Sequence, residues 1–384
     1  MIDFALSLEI EQTRNMVNQL GRDVLRRISH HYDENEHEVA VELGDIARQL
    51  GRGNDVKGPR DFLKGVVVTE ELSWADVGLT LALPGQGLGN AAINAVATPE
   101  QKARFGKASA SMAITEPGCG SDSSAINTTA RLDPATNEWV LNGEKIFVTG
   151  GRTYDNVVVW ATLDRSQGRA AIKSFVVEKG TPGLTLAKLE HKLGIRASDT
   201  VAFVLNDCRI PYDNILGSPE IKPQGGFKGA MATFDATRPG VAAMAVGVAR
   251  AALEFTRETL EDEGCTFSYD RGQHRLTAVQ KAMLDMEANL DAARFLVWRS
   301  AAMLNAGVRN SLEASMAKAK AGRTATLVTQ KCVELLGPRG YSREWLVEKW
   351  MRDCKITDIF EGTGQIQMLV IARLILGYTR SELK

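Results

Sequence analysis

Trp139-Val140-Leu141-Asn142-Gly143-Glu144-Lys145-Ile146-Phe147-Val148-Thr149-Gly150-Gly151 lies near the middle of the chain and governs how the rest is read. Its first three residues form an apolar, β-favouring run that stops at Asn142-Gly143, a pair that accepts positive φ and so marks a tight turn. Runs of the same kind follow at Val157-Val158-Val159-Trp160, Ser174-Phe175-Val176-Val177 and Val201-Ala202-Phe203-Val204-Leu205, with Pro182-Gly183 among the turns between them. Short runs punctuated by turn residues predict a small antiparallel β domain from Ser111 to about Leu216.

On either side the apolar spacing becomes helical. Leu6, Ile10, Val17, Leu20, Val24, Leu25 and Ile28 form a stripe within residues 1 to 50. Residues 51 to 60, rich in glycine and holding Pro59, predict a loop, and a second helical stretch runs from Asp61 to about Ser73. Helix returns after Gly226, with Pro239 in a first turn and apolar positions through about Leu260. Val279, Met283, Met286, Leu290, Ala293, Val297, Ala301 and Leu304 mark a second long helix. A third runs from Ser311, a candidate N-cap, to Leu336, and a fourth follows Thr363, which caps it in the same way. The expected fold is α+β, with an N-terminal helical domain (1–110), a middle β domain (111–225) and a C-terminal four-helix bundle (226–384).

Composition removes several function classes. At 384 residues and 44% hydrophobic, the chain buries a sizeable core. A net charge of −1 offers no basic field for nucleic acid, and no run approaches the roughly 18 apolar residues of a membrane span. The opening Met1-Ile2-Asp3-Phe4 does not read as a secretory signal, so a cytoplasmic protein is expected. Cys119, Cys208, Cys265, Cys332 and Cys354 are scattered and odd in number, against a disulfide framework or a zinc site. His30, His31, His37, His191 and His274 show no metal-ligand spacing and receive no catalytic role.

Near the C-terminus, Ile359-Phe360-Glu361-Gly362-Thr363-Gly364-Gln365-Ile366-Gln367 places one carboxylate and a flexible turn directly before a helix. A carboxylate beside an aromatic ring and a glycine is held near apolar surface, where desolvation raises its pKa and makes it a stronger base towards a weakly acidic C–H. From this segment alone, a solvated acid complementing the helix dipole fits as well. The segment resembles the acyl-CoA dehydrogenase family, whose catalytic base lies in a Tyr-Glu-Gly-Thr-x-Gln-Ile-Gln stretch, here with Phe360 for the tyrosine. Further matching stretches extend the resemblance over most of residues 65 to 377.

One is Ala113-Ile114-Thr115-Glu116-Pro117-Gly118-Cys119-Gly120-Ser121-Asp122, whose glycines let backbone N–H groups approach an anion or planar ring. It is similar to the family's Thr-Glu-Pro-x-x-Gly-Ser-Asp signature, which implies FAD contacts at Ile114, Thr115, Gly120 and Ser121, and thioester contact at Ser121. By the same resemblance Thr149 offers its hydroxyl to flavin N5 and Phe147 replaces the usual tryptophan against the ring. Phe147 also fits ordinary β-domain core. His191-Lys192-Leu193-Gly194-Ile195-Arg196-Ala197-Ser198 is similar to the family's Lys-Leu-Gly-x-Arg-x-Ser loop and reads chiefly as fold support. In Phe234-Asp235-Ala236-Thr237-Arg238-Pro239, an acid and an arginine three apart share a helical face. The family's matching pair contacts the pantetheine arm and the active-site wall, a role that passes to Asp235 and Arg238. Thr237 stands just before Arg238, where some family members place the base instead, so no rival glutamate exists there.

The resemblance implies an FAD enzyme that makes a trans double bond between Cα and Cβ of an acyl-CoA. Glu361 takes the α-proton, and the β-hydrogen leaves as hydride to flavin N5. Fixed donors on the thioester oxygen make the α-proton acidic enough, in the family a ribityl hydroxyl and the backbone N–H of the base. Phe360 and Gly362 are implied on the substrate side, and Thr363 and Gln365 on the cofactor side. An electron-transfer flavoprotein would accept the electrons. The alternatives are an acyl-CoA oxidase using oxygen and a non-catalytic subunit of a hetero-oligomer.

Family members complete each FAD site from a neighbouring subunit, as dimers of dimers. This chain keeps Phe267 on that surface but has Gly264 where an arginine is usual, and Glu334-Leu335-Leu336-Gly337-Pro338-Arg339-Gly340 replaces a glutamine and a glycine. An extra stretch near Ser268 to Arg275 lengthens the connection, and Arg271 or Arg339 is the candidate compensator. These departures point to pairing with a different, acyl-CoA dehydrogenase-like subunit. A shorter first helical region, with Leu83-Pro84-Gly85-Gln86-Gly87 at the pocket floor, leaves room for a bulky or branched acyl group.

Overall fold

The computed structural model describes residues 5–51, 61–221, 228–268, 270, 272–379 and 382, so Arg271 and residues 52–60 of the predicted loop lie outside it. Ser7 accepts the Ile10 N–H and starts α1 (Leu8–Leu20), which buries Ile10 and Val17. A π turn at Gly21–Leu25 leads into α2 (Arg26–Glu34). Gly21 is required there, since a Cβ would meet the Ala75 Cβ at 2.8 Å. After α3 (Leu43–Gln49), Asp61 caps α4 (Phe62–Ala82) by accepting the Lys64 N–H at 3.0 Å.

α4 outruns its predicted end near Ser73. Asp76 leaves helical geometry at φ −164, ψ 118, yet its carboxylate accepts the Leu79 N–H at 2.8 Å and so caps the turns that continue to Ala82. The other oxygen accepts Lys349 Nζ at 2.7 Å, and Lys349 also reaches Asp353 at 2.5 Å. This buried trio ties α4 to the helix Val347–Cys354. α5 (Leu88–Val96) and α6 (Pro99–Phe105) complete the first segment, α6 opening on a Thr98/Gln101 capping box.

The strands are β1 (Ala110–Ala113), β2 (Thr129–Asp133), β3 (Glu138–Thr149), β4 (Asn156–Thr162), β5 (Ile172–Glu178), β6 (Leu184–Leu189) and β7 (Thr200–Pro211). They form one sheet in the order β1-β4-β2-β3-β7-β6, with β5 on the other edge of β4. Four pairings are antiparallel; β1 with β4 and β2 with β4 are parallel, so the sheet is mixed and not antiparallel throughout. Alternation sorts the two faces. Val157, Val159, Phe175 and Val177 join one cluster, while Val158, Trp160 and Val176 pack with Ala92, Ile93 and Phe105 of α5 and α6 on the other.

The Asn142-Gly143 turn is corrected. β3 runs straight through it, with a register shift against β7 between Leu141 and Gly143. Gly143 has φ 150, and a Cβ there would lie 2.5 Å from Thr128 Oγ1, so the glycine serves a bulge where β2 approaches closely. The Pro182-Gly183 turn forms as expected, Gly183 at φ 88 and Leu184 N–H donating to Thr181 O at 3.1 Å.

The last segment holds α7 (Lys228–Asp262), α8 (Ala278–Asn305), α9 (Ser311–Leu336), α10 (Pro338–Tyr341), α11 (Val347–Cys354) and α12 (Gly364–Leu376). Pro239 lies inside α7, not in its first turn. Asn310, not Ser311, is the N-cap position of α9, because both side chains turn back to α7: Asn310 Nδ2 donates to Asp235 O at 3.2 Å and Ser311 Oγ to Asp235 Oδ2 at 2.5 Å. Thr363 caps α12 as read, accepting the Ile366 N–H. Residues of α1, α4, α7, α8, α9 and α11 share a single hydrophobic cluster, so the helices before and after the sheet have one core between them. Among the described residues, no helix is long and apolar enough to cross a membrane.

Candidate active site

The turn between Asp358 and α12 is built on two successive left-handed residues, Glu361 at φ 54 and Gly362 at φ 90. Glycine is favoured at the second, where a Cβ would come within 2.5 Å of Gln367 Nε2. Buried Gln367 then donates to the carbonyls of Gly362 at 3.0 Å and Glu361 at 3.4 Å, fixing the turn to the helix it precedes. This geometry aims Glu361 back towards α7, where Thr237 Oγ1 donates to Glu361 Oε2 at 2.6 Å. Burial raises the Glu361 carboxyl above the ordinary glutamate range, against the opposing pull of Thr237, Arg238 and Lys318.

Arg238 is 3% exposed and reaches Asp235 Oδ1 at 2.7 Å. The predicted i, i+3 pair therefore forms, but the guanidinium is an interior group whose charge is felt by Asp235 and Glu361, not a solvent-exposed one. Asp235 keeps part of its carboxylate accessible. Phe360 and Gly362 are half-buried beside Glu361, Thr363 is half-buried at the cap, and Gln365 is exposed on the first turn of α12.

The second group gathers on the sheet. Ile146 N–H donates to Thr115 O at 2.9 Å, and Lys145 Nζ to Ile114 O at 3.2 Å, so the 113–122 string lies along β3. Glu116 is buried: one oxygen takes Lys145 at 2.7 Å with the Thr128 hydroxyl at 2.6 Å, the other the Asn127 N–H at 2.7 Å. Burial alone would raise its pKa, but Lys145 and these hydrogen bonds outweigh it and hold the carboxyl below the ordinary range. Phe147, offered also as core, is 60% exposed and sits at φ 57 in the second register shift of β3. An aromatic ring held outward on a left-handed backbone is a strained arrangement of the kind found at binding sites. Thr149 is half-buried opposite Thr200, and Gly120 and Ser121 are exposed.

Phe234 of α7, one turn before Thr237, packs on the same cluster as Ile114 of the 113–122 string. Phe267 does not join them. It follows α7 and folds back beside Arg257, 20 helical residues beyond Thr237, about 30 Å at the helical rise. Arg339, the candidate compensator, is held by Glu263 of its own chain at 3.2 Å.

The sequence reading missed the hydrogen bond from Thr237, the Gln367 clamp and the buried Lys318. A lysine among Ala314, Ala317, Ala321 and Ala325 on an apolar stripe was the available signal for the last. His37 and His191, given no role, meet Glu36 with ligand atoms within 4.8 Å of one another. The Glu36 carboxylate is already taken by Lys192 at 3.4 Å and Arg196 at 3.5 Å, which makes the group an ion-pair cluster.

Comparison with known proteins decides the lineage. The N-terminal, middle and C-terminal domains of acyl-CoA dehydrogenase match residues 7–113, 111–208 and 224–376. The chain belongs to the acyl-CoA dehydrogenase family. A short-chain specific acyl-CoA dehydrogenase of Clostridium acetobutylicum is 34% identical, over 97% of this chain and 99% of that one. The short-chain specific mitochondrial enzyme of Bos taurus is 36% identical over 98% and 93%. The butyryl-CoA dehydrogenase structure from Megasphaera elsdenii superposes with a TM-score of 0.86 at 32% identity, covering 98% of this chain and 100% of that one.

An acyl-CoA dehydrogenase is an FAD-dependent oxidoreductase, and the residues present fit that cofactor. Phe147 offers an uncovered aromatic face, Thr149 a hydroxyl two residues on, and Gly118 and Gly120 open backbone on the neighbouring string, with nothing closer than 3.7 Å to a Cβ built at either.

Proposed function

We propose that this acyl-CoA dehydrogenase oxidises a short-chain acyl-CoA to the trans-2-enoyl-CoA, with Glu361 as the base that removes the α-proton. The observation that carries the assignment is the half-buried Glu361, its carboxylate lodged against Thr237 where desolvation raises its proton affinity. A base in water would sit several units below what the reaction needs; desolvation narrows that gap. FAD, when bound, supplies the acceptor for the β-hydride.

The chain's own residues do the rest. Thr237 orients Glu361, and Arg238, anchored by Asp235, stabilises the carboxylate before it is protonated. The Glu361 backbone N–H points the thioester oxygen and takes part of the developing enolate charge. Ser121 and the accessible edge of Asp235 border the acyl-CoA path, with Phe360 and Gly362 walling the acyl end. Ile114, Thr115, Gly120, Ser121, Phe147 and Thr149 line the flavin, with Thr363 and Gln365 at its remaining border.

The short chain length is supported by the short-chain relatives and tested against the roomier pocket inferred from Leu83 to Gly87. Electrons pass on to an electron-transfer flavoprotein. A reducing compartment such as the cytoplasm fits five free cysteines, each at least half-buried. We further infer an oligomer in which Phe267 serves a neighbour's flavin, since it cannot reach Glu361 of its own chain. Exposed Met368, Leu374, Ile375 and Leu376 on α12 give an apolar surface for such assembly. With Gly264 in place of the usual arginine and Arg339 engaged by Glu263, the partner is an unlike subunit of the same family.

Anaerobic mixing of the purified flavoprotein with straight and branched acyl-CoAs tests the reading. Bleaching of the flavin absorbance, fastest with short straight chains, is expected; no bleaching with any thioester rejects it. Fewer flavins than chains supports the unlike partner, and one flavin per chain in a pure homo-oligomer rejects that partner.

A further inference from the structure

α9 carries Lys318 and, one turn later, Gly322 on the same face. A Cβ at Gly322 would lie 3.0 Å from Asp358 Cα, so this face closes over the Lys355–Asp358 turn that leads into Glu361. The Lys318 side chain is fully buried, and its ammonium has no hydrogen-bond partner among the described residues. A buried cation in that state is unfavourable unless nearby charge offsets it, so its presence calls for a cause.

The charges that act on it converge from every side. Asp358 comes from the turn, Glu361 from the loop before α12, and Arg238 from α7, itself anchored to Asp235. Asp358 also pairs with Lys355 at 3.5 Å. Arg238 repels the ammonium, while Asp358 attracts it most and Glu361 next, and the attraction is mutual: Lys318 is among the groups that oppose the rise of the Glu361 carboxyl.

We propose that Lys318 is a positioning residue for the base: its ammonium, sealed behind the turn, holds the Glu361 carboxylate ionised inside an apolar site without touching substrate. This rests on the reading of Glu361 as the base. Burial pushes the Lys318 ammonium down to about 8, so it remains mostly charged at neutral pH, where the base must be free of its proton. The two cations divide the work. Arg238 is fixed by Asp235, whereas Lys318 has no hydrogen bond to hold it among the described residues and is steadied by the charges of Asp358 and Glu361.

The test compares wild type with Lys318→Met, Lys318→Gln and Lys318→Arg as flavin-loaded proteins. One readout is the pH dependence of anaerobic flavin bleaching by a short-chain acyl-CoA. The other is the infrared titration of the Glu361 protonated-carboxyl stretch without ligand, assigned by its loss in Glu361→Gln. Both midpoints should rise by about one pH unit, a tenfold gain in proton affinity, in the Met and Gln variants and return towards wild type in the Arg variant. Two neutral substitutions of different shape guard against a folding failure in one. Wild-type midpoints in either folded neutral variant overturn the role of Lys318. Undiminished bleaching by Glu361→Gln would instead overturn the base assignment, so the two failures are told apart.

Discussion

Thr237 Oγ1 and Glu361 Oε2 stand 2.6 Å apart although 124 positions separate them in the chain, and through that hydrogen bond α7 and the turn before α12 share a single carboxylate.

Glu361→Gln is expected to bind FAD and acyl-CoA normally while losing on the order of 10³-fold or more in the rate of flavin bleaching, the scale of a general base. It should also be more heat-stable than wild type at neutral pH. The folded carboxyl has a raised proton affinity, so its contribution to stability is complete below the ordinary glutamate value and lost as pH rises through the folded one. The melting-temperature advantage should therefore vanish in acid; an advantage that persists there would contradict the burial of a charge at this position.

Thr237→Val keeps the shape and removes the donor. The Glu361 carboxyl then loses its hydrogen bond and its pKa climbs further, moving the acid limb of kcat/KM upward by roughly half to one pH unit. A pH profile superimposable on wild type would show that the hydroxyl does not act on the base.

Glu116→Gln strips the buried Lys145 of its counter-ion. Breaking such a pair from one side costs about 3–5 kcal/mol, read by denaturant unfolding. In the wild type the Glu116 carboxyl is held below its ordinary value of 4.5, so its stabilisation is present above that pH and disappears as pH falls through the folded value. The variant should lack this part of the acid transition.

Gly362→Ala forces a Cβ into a φ of 90 and within 2.5 Å of Gln367 Nε2. The turn must shift and carry Glu361 with it, so turnover should drop by about 10²-fold, the scale set by a misplacement near 1 Å. Far-ultraviolet circular dichroism should be unchanged; unaltered turnover would mean that the turn does not aim the base.

The long apolar periods of α8 and α9 and the Thr363 cap were legible because local spacing alone determines them. Asn142-Gly143 misled because its turn chemistry was spent on a bulge: the approach of Thr128, distant in sequence, decided that β3 should continue. Pro239 misled in the same way, since a proline inside a long helix is tolerated when tertiary packing sets the helix start. At the site, Glu361 and the Asp235–Arg238 pair were readable as motifs. Their partners were not, because Thr237, Gln367 and Lys318 look like ordinary helical residues until the fold brings α7, α9 and α12 together.

The hydrophobic cluster that α1 and α4 share with α7, α8, α9 and α11 also sets the order of events during synthesis. The opening helices leave the ribosome with their apolar faces uncovered and must wait for more than a hundred residues of sheet before their packing partners exist. The sheet, whose strands pair with one another and whose covered face takes the preceding α5 and α6, can assemble in the interval. A pause between Leu216 and α8 would prolong that exposure, which makes the first eighty residues the stretch most in need of a chaperone.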